Sequence, residues 1–230
     1  MTVDLADLTL AERLSLLIGF RPESGRMNRG FGATAGRPLV MVEGALTLIE
    51  LVDGGFIEVE ADATDDVPPE PQTRALEVVP PHPVLAFAHE YISRQDPARP
   101  VEWYFSRIGL RQDPGRRRVE LGLALDPRGR NLSQDGITLV RANRARIDAF
   151  VFDDTVHIDS VSDQDCVLAA ALDTADARLR AFPGLAWKRR PHVLVRMSLL
   201  SARATESVPA DHGRNLVLVA LKSSNLSAQD

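Results

Sequence analysis

Between Arg37 and Glu60 the chain spells a helix, a stop and a strand, and this segment constrains the fold more than any other. Leu39, Val42, Leu46, Ile49 and Val52 recur at helical spacing and predict one buried stripe. Pro38 suits the first turn, where its missing N–H costs nothing. Asp53-Gly54-Gly55 predicts the helix end, because glycine accepts the left-handed geometry of a C-cap. Ile57 and Val59 then alternate with Glu58 and Glu60, as on a half-buried strand. None of these residues suggests catalysis.

Other elements follow from the same signals. Thr9-x-x-Glu12 is a capping box ahead of Leu10, Leu14, Leu17 and Ile18, and predicts a helix ending near Gly19. Residues 21–37 read as a polar, glycine-rich loop, and 61–83 as a proline-rich linker with a short extended piece at 75–79. Helices are expected at 84–93, with Val84, Leu85, Ala88, Tyr91 and Ile92 inward, and at about 100–109, with Val101, Tyr104, Phe105 and Ile108 as the stripe. Val119, Leu121, Leu123 and Leu125 alternate strictly, Asp126-Pro127-Arg128-Gly129 reads as a turn, and 137–140 could return. Together they predict a β-hairpin. Further helices are expected at 141–152, after Ser162-x-x-Asp165 through Leu179 to a stop at Pro183, at 193–203 and at 216–221.

Length and composition bound the rest. A chain of 230 residues with 44% apolar content can bury a real core. No run approaches the ~18 apolar residues of a membrane span, and Met1–Asp7 lacks the features of a signal peptide. Cys166 is the single cysteine, which rules out an internal disulfide and fits a reducing compartment. The expected location is therefore cytoplasmic. A net charge of −5 argues against a dedicated nucleic-acid binder. Of the 27 basic residues only Lys188 and Lys222 are lysine, which suggests a GC-rich bacterial gene.

Leu8-Thr9-Leu10, Leu48-Ile49-Glu50-Leu51 with Gly55 and Glu60, Pro83–Ile92, Pro100-Val101-Glu102-Trp103, Ala181-Phe182-Pro183-Gly184-Leu185 and Arg214–Leu221 occur in an order that resembles the Golgi phosphoprotein 3 family, nearly end to end. The resemblance implies a mainly α fold: a single helical domain over 1–230, with a helix-bundle core wrapped by amphipathic helices and a small β-hairpin. It also implies a non-enzymatic peripheral membrane adaptor. Eukaryotic members bind phosphatidylinositol 4-phosphate and retain glycosyltransferases. The implied partner is an anionic phospholipid, a phosphoinositide in the family, or a protein tail, at the inner face of the membrane. The implied cofactor is none. The chain departs from the family's lipid pocket. Its tryptophans are Trp103 and Trp187, outside the loop where the family carries one, and Gly44 aligns with the family's arginine in the second helix.

Candidate sites follow from the arginines. In the loop 25–37, Arg26, Arg29 and Arg37 surround glycines ahead of a helix start, a setting that favours anions or a lipid headgroup. A mobile solvated loop explains the same residues. Arg116, Arg117 and Arg118 precede the expected hairpin and suit an anionic membrane, or simply a solvated turn. The hairpin edge also offers a surface for homo-oligomer pairing. Arg141, Arg144 and Arg146 share a helix with Ile147, Phe150 and Val151, either on a membrane or on an ordinary surface helix. Lys188-Arg189-Arg190 lies beside Trp187 and reads as a membrane or partner contact or as a solvated helix start.

No metal site is expected. No His-Glu-x-x-His pair occurs, and His157-x-Asp159 with Asp153 and Asp154 reads as a polar loop more readily than as a ligand set. Gly30-x-Gly32-x-x-x-Gly36 lacks the preceding strand of a dinucleotide site. Cys166 beside Val167 reads as a buried small residue. No nucleophile elbow or phosphate loop is present, and no catalytic residue is assigned.

Two other classes compete. A winged-helix-like DNA-binding regulator could share the helix–loop–helix–strand order of 8–60, but the 38–53 helix offers only Glu43, Glu50 and Asp53 as charges, which would make its exposed face acidic. An enzyme with an unrecognised site would show a strongly perturbed titratable group in a pocket.

Overall fold

The computed structural model describes residues 3–28, 36–61, 71–174 and 190–226. Among them are nine α-helices and one small sheet: α1 (Leu10–Gly19), α2 (Gly36–Asp53), β1 (Ile57–Glu60), β2 (Gln72–Ala75), α3 (Pro83–Ser93), β3 (Arg99–Pro100), α4 (Val101–Arg111), α5 (Pro114–Glu120), α6 (Gln134–Phe152), α7 (Asp163–Thr174), α8 (Arg190–Glu206) and α9 (Gly213–Leu226). The fold is mainly α with a small antiparallel sheet. No described helix is long and apolar enough to cross a membrane.

Helix α2 is the axis of the bundle. Of its expected stripe Leu39, Val42, Leu46 and Ile49 are buried and Val52 is partly buried, and Met41, Ala45, Leu48 and Leu51 are buried as well, so the helix is covered on nearly every side. A helix apolar all round belongs inside a bundle, and α2 packs on α1, α4 and α9. Its crossing with α4 is set by two glycines. A Cβ on Gly44 would lie 2.0 Å from the carbonyl oxygen of Phe105, and one on Gly109 would lie 2.2 Å from that of Val40. Each helix thus uses a glycine to admit the other's backbone. Gly44 is a packing residue at the core of this crossing. The α4 stripe of Val101, Tyr104, Phe105 and Ile108 is fully buried, as its spacing predicts. Helices α7 and α8 pack together beside this core.

The Thr9 capping box and the Ser162 cap both form. Thr9 Oγ1 accepts the Glu12 N–H at 3.2 Å, and Glu12 Oε2 accepts the Thr9 N–H at 2.9 Å. Ser162 Oγ accepts the Asp165 N–H at 3.2 Å. The late helices are longer than their apolar cores suggest, α6 beginning at Gln134, α8 at Arg190 and α9 at Gly213.

The β-hairpin expected over 119–140 is not formed. Asp113 caps the Arg116 N–H at 2.9 Å, Pro114 takes the first turn, and Arg116 pairs with Glu120 one turn on, so 114–120 is helical. Ser133 caps α6, which absorbs the expected return strand at 137–140. The alternation of Val119 to Leu125 was coincidental: Leu123 is buried while Leu125 is 76% exposed. Only a bridge between Ala124 and Leu132 remains, closed by the Asp126–Gly129 turn. Asp126 accepts the N–H groups of Arg128, Arg130 and Asn131 there. The segment instead builds a second, smaller core in which Leu123, Leu132, Leu139 and Val140 close over Leu8, Leu16 and Phe20.

The antiparallel sheet lies elsewhere. β1 pairs with β2, Ile57 opposite Ala75, and β2 with β3. The extended piece expected at 75–79 is therefore displaced to 72–75. With no hairpin at 119–140, the expected pairing edge for a homo-oligomer is absent from that segment.

Candidate functional site

A cavity of about 390 Å³ opens where α1, α2, α3 and α5 meet the 111–113 turn, a size at the low end for a small-molecule site. Ala11, Pro83, Val84, Phe87 and Pro114 supply apolar wall. Glu12, Glu43, Asp113 and Glu120 supply negative charge, and Arg111, Arg116 and Arg117 positive. Each charged group is placed by an ordinary local rule. Glu12 is the capping-box acid of α1, Arg111 ends α4, and Arg116, Arg117 and Glu120 share the two turns of α5.

The arginines of the site are not equivalent. Arg116 is mostly exposed and donates to Glu120 at 2.9 Å. Arg117 donates to Glu12 at 3.2 Å and lies 3.8 Å from Glu120. Arg111 has no carboxylate partner among the described residues, and its guanidinium lies 4.6 Å over the Tyr91 ring, a cation–π contact that holds it in place. Tyr91 stacks in turn on Trp103.

Glu43 is the unusual group. Its carboxyl takes no hydrogen bond or ion pair from any described residue. Burial raises its pKa from 4.5 to about 7, against the pull of Arg118. One turn along α2, Thr47 donates to the Glu43 carbonyl at 2.9 Å and accepts from Gln112 at 2.8 Å. Glu50, on the same face, is raised to about 8, chiefly by burial and although it accepts the Leu10 N–H at 3.0 Å. The charges expected on an exposed acidic face of this helix are thus turned inward, and Asp53 is held by Arg214.

The arginines singled out in the sequence divide accordingly. Arg116 and Arg117 meet at the cavity. Arg118 does not. It is buried, donates to the Gly129 carbonyl at 3.1 Å and to Ser15 Oγ at 3.2 Å, and lies over the Phe20 ring. Burial lowers its pKa to about 10. It ties α5 to α1 and to the 126–129 turn, so it is not a surface contact for a membrane. Arg26 is exposed, its backbone bridged to Asn131, and it does not line the cavity. Arg29, like Trp187, Lys188 and Arg189, lies outside the described residues, as does the Arg37 side chain.

The α6 arginines are fastened to the protein. Arg141 donates to the Pro22 carbonyl at 2.8 Å, Arg144 to Leu17 at 3.2 Å and Arg146 to Asp165 at 2.7 Å. These are clamps between elements, and the reading of α6 as a membrane-lying helix fails on them. Asp153 closes a turn onto Thr155, and Asp159 faces Arg203. Among the described residues no group of His, Cys, Asp and Glu is arranged to hold a metal. Cys166 is buried, and burial raises its pKa to about 11.

Sequence reading missed Arg111, Glu43 and the stacked rings. The spacing Trp103-x-x-x-Arg107-x-x-x-Arg111 was the available signal for one helical stripe. Compared with protein-family models and with curated proteins, the sequence matches none.

Proposed function

We propose that this protein is a non-enzymatic peripheral membrane adaptor, similar to the Golgi phosphoprotein 3 family, that takes an anionic phospholipid headgroup into the α1–α2–α3–α5 cavity. The observation that carries this reading is the convergence of Arg111, Arg116 and Arg117 on one cavity. A phosphate displaces Glu120 and binds Arg116 and the remaining N–H groups of Arg117 through charge-assisted hydrogen bonds, Arg117 keeping its bond to Glu12. Glu120 is 47% exposed, and pairs of that kind contribute about 0–1 kcal/mol, so the exchange costs little. Arg111, braced over Tyr91, needs little ordering to join them. A family phosphoinositide is the first ligand to try. Location at the inner face of the membrane belongs to the same proposal. The DNA-reader alternative gains nothing from α2, whose faces are covered by other helices.

One observation favours a second reading. Glu43, with a pKa of about 7 beside a cavity, has the property of a general acid or base. Against it, Ser15 is the one hydroxyl side chain among the cavity's lining residues, and it already accepts from Arg118. The test is co-sedimentation with neutral, generic anionic and phosphatidylinositol 4-phosphate vesicles at two salt concentrations. Retention on anionic vesicles supports the adaptor reading. Absence from every pellet overturns it.

A further inference from the structure

We propose that the outer face of α3 and α4, centred on Trp103, Arg107 and Leu110, is the surface laid against an anionic bilayer. This rests on the membrane reading above and adds the face and orientation of docking. Three guanidiniums meet here with no carboxylate partner among the described residues. Arg107 lies 4.0 Å over the Trp103 ring, Arg99 lies 5.9 Å over the same ring, and Arg111 lies 4.6 Å over Tyr91. The other charges of these helices are Glu102, at the start of α4, and Glu90, which pairs with Arg94. Arg107 also donates to the Trp103 carbonyl at 3.0 Å within its own helix, which leaves its charge uncompensated, whereas Arg116, Arg117 and Arg146 are paired with carboxylates. Three arginines free of carboxylates among the described residues therefore meet on this face.

Its apolar members point the same way. Leu110 is 71% exposed and Phe87 is 40% exposed. Positions 103, 107, 110 and 111 fall on one stripe of α4, beside the Phe87–Tyr91 stripe of α3. Cations around an exposed leucine match the layering of a bilayer interface: phosphates meet arginine and the leucine enters the acyl boundary. Trp103 and Tyr91, half-buried behind the guanidiniums, hold the arginines in place. An acidic protein tail satisfies the arginines and leaves Leu110 in water, so the bilayer is the better fit. Arg111 and Phe87 also line the cavity, so docking on this face brings the cavity to the lipid surface.

The test uses the full chain with Trp187→Phe, which leaves Trp103 as its single tryptophan, and vesicles of phosphatidylcholine with phosphatidylserine at low salt. The expected result is sedimentation with these vesicles and a blue shift of Trp103 emission. Arg107→Glu with Leu110→Ser should lower partitioning at least about tenfold, while Arg128→Ala, on the exposed 126–129 turn, leaves most of it. Both changed residues are exposed, and circular dichroism checks the fold. Two results overturn the face. One is equal binding by the double variant, which leaves the membrane reading standing. The other is a chain that ignores vesicles but binds a poly-glutamate peptide through Arg107. A parent chain that binds no vesicle of any composition overturns the membrane reading itself.

Discussion

Replacing Glu50 by Gln should make the protein more stable at neutral and basic pH, by an amount that grows with pH. The Glu50 carboxyl lies between α1 and α2, accepts the Leu10 N–H at 3.0 Å, and has its pKa raised from 4.5 to about 8, mainly by burial. Between these two values the folded chain holds a proton that the unfolded chain has lost. Unfolding free energy therefore falls as pH rises. The contribution is intact below 4.5 and fully lost above about 8. At about 1.4 kcal/mol per pH unit, the rise sets a ceiling of about 5 kcal/mol. Glutamine keeps an acceptor for Leu10 and cannot ionise. Urea unfolding at pH 5 to 9 should show the two proteins close at pH 5, with the variant pulling ahead by about 2–5 kcal/mol at pH 8. Parallel curves, or a variant that is weaker at pH 8, would refute the assignment of Glu50 as a buried, largely neutral acid.

Two further outcomes follow from packing. Gly44→Ala places a methyl 2.0 Å from the Phe105 carbonyl, so α2 and α4 must separate. Denaturation should report a loss of about 3 kcal/mol. Arg214 is buried and joins Asp53 and Asp163 at 2.7 Å each, linking α9, α2 and α7. Arg214→Met removes the ion-pair partner of both carboxylates, which are partly hydrated, and should cost about 2 kcal/mol, read as a lower urea midpoint, with Asp53→Asn costing less because Arg214 keeps Asp163.

The parts of the fold that sequence reading recovered are those whose signals are local. The α2 and α4 stripes, the Thr9 and Ser162 caps and the Asp126–Gly129 turn are each written within a few residues. The 119–125 segment misled because four alternating apolar residues satisfy the strand period. The competing signal, Asp113-Pro114 as cap and first turn, lay just outside that window. β2 was illegible for a different reason: Gln72-Thr73-Arg74-Ala75 has no apolar alternation, and its pairing with β1 and β3 is set by tertiary position.

At the site, three consecutive arginines could not all share one surface, since neighbours on a helix point about 100° apart. Arg116 and Arg117 reach the cavity while Arg118 turns into the core. Glu43 and Glu50 fall outside the apolar stripe, so the spacing alone faces them to solvent. The cover on nearly every side of α2 reverses that for Glu43 and Glu50, and such cover depends on the whole bundle.

The most direct test of the proposed headgroup site is calorimetric titration of the protein with a water-soluble, short-chain phosphatidylinositol 4-phosphate, beside a double variant, Arg116→Ala with Arg117→Ala. The parent chain should show saturable one-site binding, and the variant a loss of at least about tenfold, about 1.4 kcal/mol or more. No saturable heat with the parent chain, or an unchanged affinity in the variant, would contradict the headgroup site.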